Sequence, residues 1–177
     1  NVLKLLARDR DKYISMHSMH LAQVACTLSV AMNWPSGTTF QKLSFAAFFH
    51  DIVFSNHDLA RVKSLVELEQ KKKQFTEAEI TLYKNHPMLC SEIVKKFQEI
   101  PADVDTVILQ HHEMPDGNGF PRKLSSTYIS PLSCLFIVAH DLVDLIFDTD
   151  GKPNVQDFFK ESKKIYSGGN FRRVLDT

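Results

Sequence analysis

The stretch "PLSCLFIVAHDLVDLIF", residues 131 to 147, is apolar almost all the way round at helical spacing. A helix with no face to give to water has to be enclosed by other helices. The rest of the sequence supplies them, because apolar residues recur at three- and four-residue intervals and no segment sustains a two-residue alternation. The expected fold class is therefore all-α, a helical bundle with residues 131 to 147 at its centre. A chain of 177 residues buries a core of this kind as one domain, without disulfide staples.

Local signals place the helices. Residues 12 to 33 carry Ile14, Leu21, Val24, Leu28 and Met32 on one stripe, ended by the turn "NWPSG". A second helix is expected over roughly 40 to 50, ending in "FFHDI", and a polar amphipathic stretch over 58 to 73. "TEAE" at 76 to 79 has capping-box spacing before a helix with Ile80, Tyr83, Cys90, Val94 and Phe97 inward. Pro87 should kink or restart that helix, and Pro101 should open the next one, which runs to His111. A short amphipathic tail helix closes the chain after "TDGKPN".

Lysine plus arginine equals aspartate plus glutamate at 21 each, so no overall field recruits a nucleic-acid polymer or an anionic membrane. Cys26, Cys90 and Cys134 lie far apart in apolar patterns and read as reduced core thiols. With no signal peptide and no uninterrupted apolar span, a soluble cytoplasmic domain is expected. The first residue is Asn1, which points to a fragment whose upstream, regulatory part is missing.

Histidines carry the chemistry. A single imidazole on an apolar helix face is commonly a hydrogen-bonded core residue. Here His17, His50, His86 and His111 each take an inward position on a different predicted helix, and His112 follows His111 directly. Convergence on metal explains all of them at once. Asp141 sits among Phe136, Ile137, Val138, Leu142 and Leu145, where an unpaired carboxylate costs roughly several kcal/mol. It needs a cation, which a metal would supply. Adjacent helical residues point about 100° apart, so His50 with Asp51, and His111 with His112, serve two ions more readily than one. Asp51 is the candidate bridge and catalytic carboxylate of a dinuclear centre. Nitrogen and oxygen ligands without thiolate favour iron, then manganese, over zinc.

Taken in order, "MHSMHLA", "FFHDI", "KNHPMLCSEIV", "ILQHHEMPDGNGFP" and "VAHDLVDL" resemble the HD-GYP subgroup of the HD phosphohydrolase superfamily. The resemblance covers about residues 13 to 147, with a divergent tail over 148 to 177. It implies an HD-domain helical bundle, hydrolysis of cyclic di-GMP, and metal ligands at His17, His50, Asp51, His86, His111, His112 and Asp141. It also implies a GGDEF-domain partner at the loop that closes in "GFP". The departures are specific. Tyr13 stands where trinuclear members place a glutamate, so two divalent metals are expected. Phe54 replaces a lysine that meets substrate phosphate, Val53 replaces a glycine, and Phe120 replaces a tyrosine. No arginine follows the final helix near residues 148 to 153.

Each lost donor to a phosphodiester costs on the order of 1.5 to 3 kcal/mol, so activity should be reduced. Arg122, Lys152, Phe120 and Asp116 are the candidate substrate contacts, with His57 and Lys63 as further cations near enough to substitute. Asp116, Gly117 and Gly119 read first as a turn that needs positive φ. His140 reads as packing beside Asp141, and His20 as a neighbour of His17. The leading reading is a phosphodiesterase that directs activated water at phosphorus between two metals. The alternatives are a degenerate domain that senses nucleotide or binds a GGDEF protein, and a phosphohydrolase acting on another nucleotide.

Overall fold

A computed structural model of the chain describes residues 12–149 and 152–176. The expected fragment start and the centre of the "TDGKPN" turn, Asp150 and Gly151, lie outside the described residues. Nine α-helices and one short 3₁₀ turn account for the regular structure among the described residues. They are α1 (Tyr13–Ala31), α2 (Gly37–Phe49), α3 (His57–Ala60), α4 (Leu65–Lys71), α5 (Glu77–Val94), α6 (Val104–Gln110), α7 (Pro131–Asp148), α8 (Val155–Ile165) and α9 (Phe171–Leu175), with the 3₁₀ turn at Lys72–Gln74. No described residue lies in a β-strand; a single bridge pairs Asp116 with Ser125.

Helix starts follow side-chain capping. Ser36, Ser64, Thr76, Ser130 and Asn154 each accept a backbone N–H of the first turn, which satisfies a donor the helix itself cannot. Thr76 and Glu79 close the capping box in both directions. Pro131 fits the first turn of α7, where its missing N–H costs nothing.

Helix α7 is the centre that its all-round apolar sequence requires. Cys134, Leu135, Phe136, Val138, Ala139 and Val143 are fully enclosed, and α1, α6, α8 and α9 pack around it. The α1–α2 and α5–α6 pairs build the flanks. A second, smaller apolar cluster of Phe54, Leu59, Val62, Leu68, Tyr83 and Phe120 lies beside this core.

Four expectations change. Helix α5 runs continuously through Pro87 rather than restarting there. Pro101 does not open α6, which begins at Val104 after Asp103 adopts φ 75° and pairs with Lys42 at 2.6 Å. Phe97 lies beyond the end of α5 and is exposed. The tail forms two helices, and Tyr166, Phe171, Val174 and Leu175 complete the core, so it is part of the bundle. No helix among the described residues is long and apolar enough to cross a membrane.

Candidate metal centre

Five helices end or pass where the histidines meet. His17 comes from α1, His50 caps the C-terminus of α2, His86 lies in α5, His111 and His112 follow α6, and His140 lies in α7. They form two trios, the buried His17/His50/His140 and His86/His111/His112, in which only His112 is partly exposed, each with one nitrogen per ring within 4.8 Å of the others.

Local backbone chemistry aims these rings. A helix leaves its last carbonyls without partners, and His50 Nδ1 donates to Ala47 O at 2.9 Å while His111 Nδ1 donates to Ile108 O at 2.6 Å. In the middle of a helix a carbonyl is normally shared with the N–H four residues on, and Pro87 removes that competitor for His86. Lacking an N–H, Pro87 leaves the carbonyl four residues earlier unclaimed, and His86 Nδ1 donates to that Tyr83 O at 2.6 Å. With Nδ1 committed as donor in all three rings, Nε2 carries the lone pair and points inward.

The result is a contact that proteins avoid without a cation: His86 Nε2 and His111 Nε2 face each other at 3.1 Å. Two lone pairs repel at that separation, and a metal between them converts the repulsion into ligation. His50 Nε2 and Asp51 Oδ1 are buried with no hydrogen-bond partner, a state that costs roughly 1 to 3 kcal/mol per group unless something charged meets them. Asp51 lies between the trios, with Oδ2 at 3.3 Å from His50 Nε2 and Oδ1 at 3.5 Å from His86 Nε2. The donor set therefore fits divalent metal.

Burial opposes charge on Asp51, but His50, His86 and His111 outweigh it and hold the carboxyl far below its ordinary range. Burial lowers the imidazoles instead, His86 to about 4 and His140 to about 3, with His111 and His112 also well below normal. These rings are neutral at pH 7 and free to ligate. Below pH 6.5 the unfolded chain takes up protons that the folded cluster refuses until about pH 4, so stability must fall with pH across that window. Depressed Asp51 and Asp144 extend the loss to lower pH; His50, which Asp51 raises despite burial, and Asp141 oppose it. Metal-free protein should show a melting temperature that declines steadily from pH 6.5 to 4.5; a flat profile would contradict these protonation states.

The structure brings together His17, His50, Asp51, His86, His111 and His112 but not Asp141. Its carboxylate bonds to the Tyr166 hydroxyl, and burial raises it to about 7. Asp144, one turn on, faces the centre: it pairs with His17 Nε2 at 3.0 Å and lies 3.6 Å from His140 Nδ1. His140 and Asp144 are four apart and share a face, whereas Asp141 is turned about 100° from His140. Asp141 still lines the cavity that reaches His111, His112 and His140, but the acid in contact with His17 and His140 is Asp144, and His140, expected as packing, joins the cluster. The available signal was the i, i+4 spacing of His140 with Asp144.

The substrate candidates scatter. Arg122 is exposed, and Lys152 lines a groove between α7 and α8, away from the histidines. Asp116 is exposed and closes a turn, accepting Asn118 N at 2.9 Å. Gly117 has φ 77° as expected, but Gly119 is required for another reason, since a Cβ there would sit 2.3 Å from Met114 N. Phe120 stacks on His112 with ring centroids 4.5 Å apart. Phe54 is buried, 4.7 Å from His86 and stacked with Tyr83. Tyr13 approaches Asp144 Oδ1 at 3.5 Å. Sequence reasoning gave no role to Glu113, whose buried carboxylate accepts Arg122 N and Leu124 N at 2.7 and 2.8 Å and fastens the 113–124 loop over the site.

A model of the HD domain family matches residues 1–156. The chain belongs to the HD domain family. Over 136 residues it is 26% identical to the cyclic di-GMP phosphodiesterase PA4108 of Pseudomonas aeruginosa, covering 77% of this chain and 31% of that protein. Over 91 residues it is 30% identical to the cyclic di-GMP phosphodiesterase response regulator RpfG of Xanthomonas campestris pv. campestris, covering 51% of this chain and 24% of that one. The chain thus spans a third or less of the length of these relatives. Its fold is similar to that of Bd1817, an HDG"Y"P protein from Bdellovibrio bacteriovorus, with TM-score 0.62, 20% identity, and coverage of 94% of this chain and 52% of that structure. Together these findings support an HD-GYP domain.

The role of Pro87 in this HD domain is open to test. Alanine there returns an N–H that competes with His86 for the Tyr83 carbonyl. Pro87→Ala should weaken metal binding roughly tenfold, the usual effect of disturbing an outer partner of a ligand, while the helix persists. Metal titration followed by circular dichroism checks it, and unchanged affinity would remove the orienting role.

Proposed function

We propose that this domain is a metal-dependent phosphodiesterase acting on cyclic di-GMP, with activity reduced relative to members that keep a lysine after the HD pair. The observation that carries the reading is the pair of histidine trios flanking Asp51. His17, His50 and His140, helped by Asp144, would hold one divalent ion, and His86, His111 and His112 would hold the other. Asp51 offers one oxygen to each side. The all-nitrogen and carboxylate donor set favours iron, then manganese. When bound, such ions polarise a phosphoryl oxygen, neutralise developing charge and make water a competent nucleophile.

The protein's own groups do the rest. Asp51, held ionised, fixes the spacing of the two sides. The carbonyl-anchored Nδ1 atoms keep each imidazole in one tautomer and orientation. Phe54, Tyr83 and Phe120 exclude water from the His86/His112 flank, which strengthens every charge interaction inside.

The second reading, a degenerate domain that senses nucleotide or binds a partner, is favoured by one observation. The cavity reaching His111, His112 and His140 has a volume of about 160 Å³, below the roughly 300 to 1,000 Å³ of ordinary ligand sites. A GGDEF-domain partner meeting this loop would touch exposed Asp116, Arg122 and Lys123 rather than buried Phe120. Hydrolysis of cyclic di-GMP beside a generic aryl phosphodiester, with iron- and manganese-loaded protein, tests the two readings. Metal-dependent turnover of cyclic di-GMP supports the first. Binding without turnover supports the second, and turnover of the aryl ester alone points to another nucleotide.

A further inference from the structure

The segment between α2 and α5, residues 50 to 76, replaces the missing lysine with a neutral ring, yet it also delivers three cations to one place. A cavity of about 260 Å³ lies against α7, lined by the cations Arg61, Lys63 and Lys71, the acids Glu67, Asp144 and Asp148, and the rings of Tyr13 and Phe147. Lys63 lines this cavity and also the one that reaches the histidines, so the two cavities adjoin at this residue.

The charges there are unequally committed. Lys71 pairs with Glu67 at 2.6 Å, and Lys63 pairs with Asp148, both at solvent-accessible positions. Such exposed pairs are worth little and yield readily to a better anion. Asp144 is turned to His17 and His140. Arg61 has no carboxylate partner among the described residues. Its guanidinium carbon lies over the Tyr13 ring, 4.1 Å from the centroid, and its Nε is buried without a hydrogen-bond partner. A planar, fixed and unpaired guanidinium beside a cavity is the geometry that recognises a phosphate by two parallel N–H bonds.

Its placement relative to the metal centre is short and continuous. Arg61 packs on Tyr13, Tyr13 lies 3.5 Å from Asp144, and Asp144 pairs with His17. We propose that Arg61, assisted by Lys63, is a second anionic subsite that binds the non-reacting phosphate of a substrate carrying two phosphodiester groups, while the other phosphate sits at the histidine trios. The proposal rests on the phosphodiesterase reading and deepens it. The phosphate-binding cation of this chain comes from the turn after α3, not from the position of Phe54. It also explains how a site with a small inner cavity accepts a large substrate: neither cavity alone has room, and the two together span Lys63.

The test compares cyclic di-GMP with bis(p-nitrophenyl) phosphate, which has a single phosphodiester, using metal-loaded protein. In Arg61→Gln the ratio of kcat/KM for cyclic di-GMP to that for the aryl ester should fall roughly tenfold or more, mostly through KM, and Arg61→Lys should recover part of it. Loss of the Tyr13 contact alone would lower both substrates together and leave the ratio unchanged. Lys63→Gln, at a half-exposed position that carries no core packing, should lower the same ratio about threefold, and it serves if Arg61→Gln fails to fold. A parent that hydrolyses cyclic di-GMP with a ratio unaltered by either substitution overturns the subsite and leaves the phosphodiesterase reading standing. A parent that turns over only the aryl ester, or neither compound, overturns that reading and the subsite with it.

Discussion

Asp51→Asn should reduce metal-dependent phosphodiester hydrolysis roughly a thousandfold or more, equivalent to about 4 kcal/mol of transition-state stabilisation. The effect is electrostatic. Asp51 is a buried carboxylate facing one imidazole of each trio, and ligating imidazoles would supply no charge to offset the two divalent ions proposed. An amide is nearly the same size but has no net charge and offers one oxygen instead of two. Metal content should fall with activity, to below one ion per chain, while the helical signal persists in the absence of metal. The measurement is hydrolysis at saturating metal alongside elemental analysis. An Asn variant that keeps both ions and loses less than tenfold in rate would remove Asp51 from the centre of the mechanism.

Phe54→Lys should cost stability on the order of 3 kcal/mol or more and restore no activity, although comparison of motifs makes it the obvious repair. Phe54 is 7% exposed and packs on Tyr83 and His86 within the second apolar cluster. A lysine there leaves a cavity, buries an ammonium and sets that charge beside a ring meant to hold a cation. For a domain of this size each kcal/mol moves the melting point by roughly 2 to 4 °C, so a fall of about 10 °C is expected. Thermal melts of metal-loaded parent and variant check it. A stable variant with raised cyclic di-GMP hydrolysis would show that the ring occupies a lysine site that is still functional.

The same residue shows what a sequence exposes and what it hides. Phe54 is legible as a departure, but not as a wall of the site, because burial depends on Leu59, Val62 and Leu68, which arrive from the next two helices and the turn between them. The helices themselves were legible: capping residues and apolar spacing are local, and α7 betrays its central position by having no polar face. The histidines were legible through repetition on separate helices. The carboxylate on α7 was not, since Asp141 and Asp144 both lie in an apolar run and only the rotation of the helix decides which one meets His17. His140 went with it, for the same reason. Arg122 and Lys152 are near the site in sequence, but loop direction carries Arg122 outward and the tail helices draw Lys152 to another groove. Arg61 gave no local signal, because its importance lies in the absence of a carboxylate partner among the described residues.

Two trios around one carboxylate make a specific numerical claim. Protein purified anaerobically and loaded with iron, then analysed for bound metal against protein concentration, should contain close to two ions per chain. Either trio disrupted singly, by His17→Ala or by His86→Ala, should lower that number toward one. A reproducible value near zero, or near three, in the unaltered protein would contradict the account.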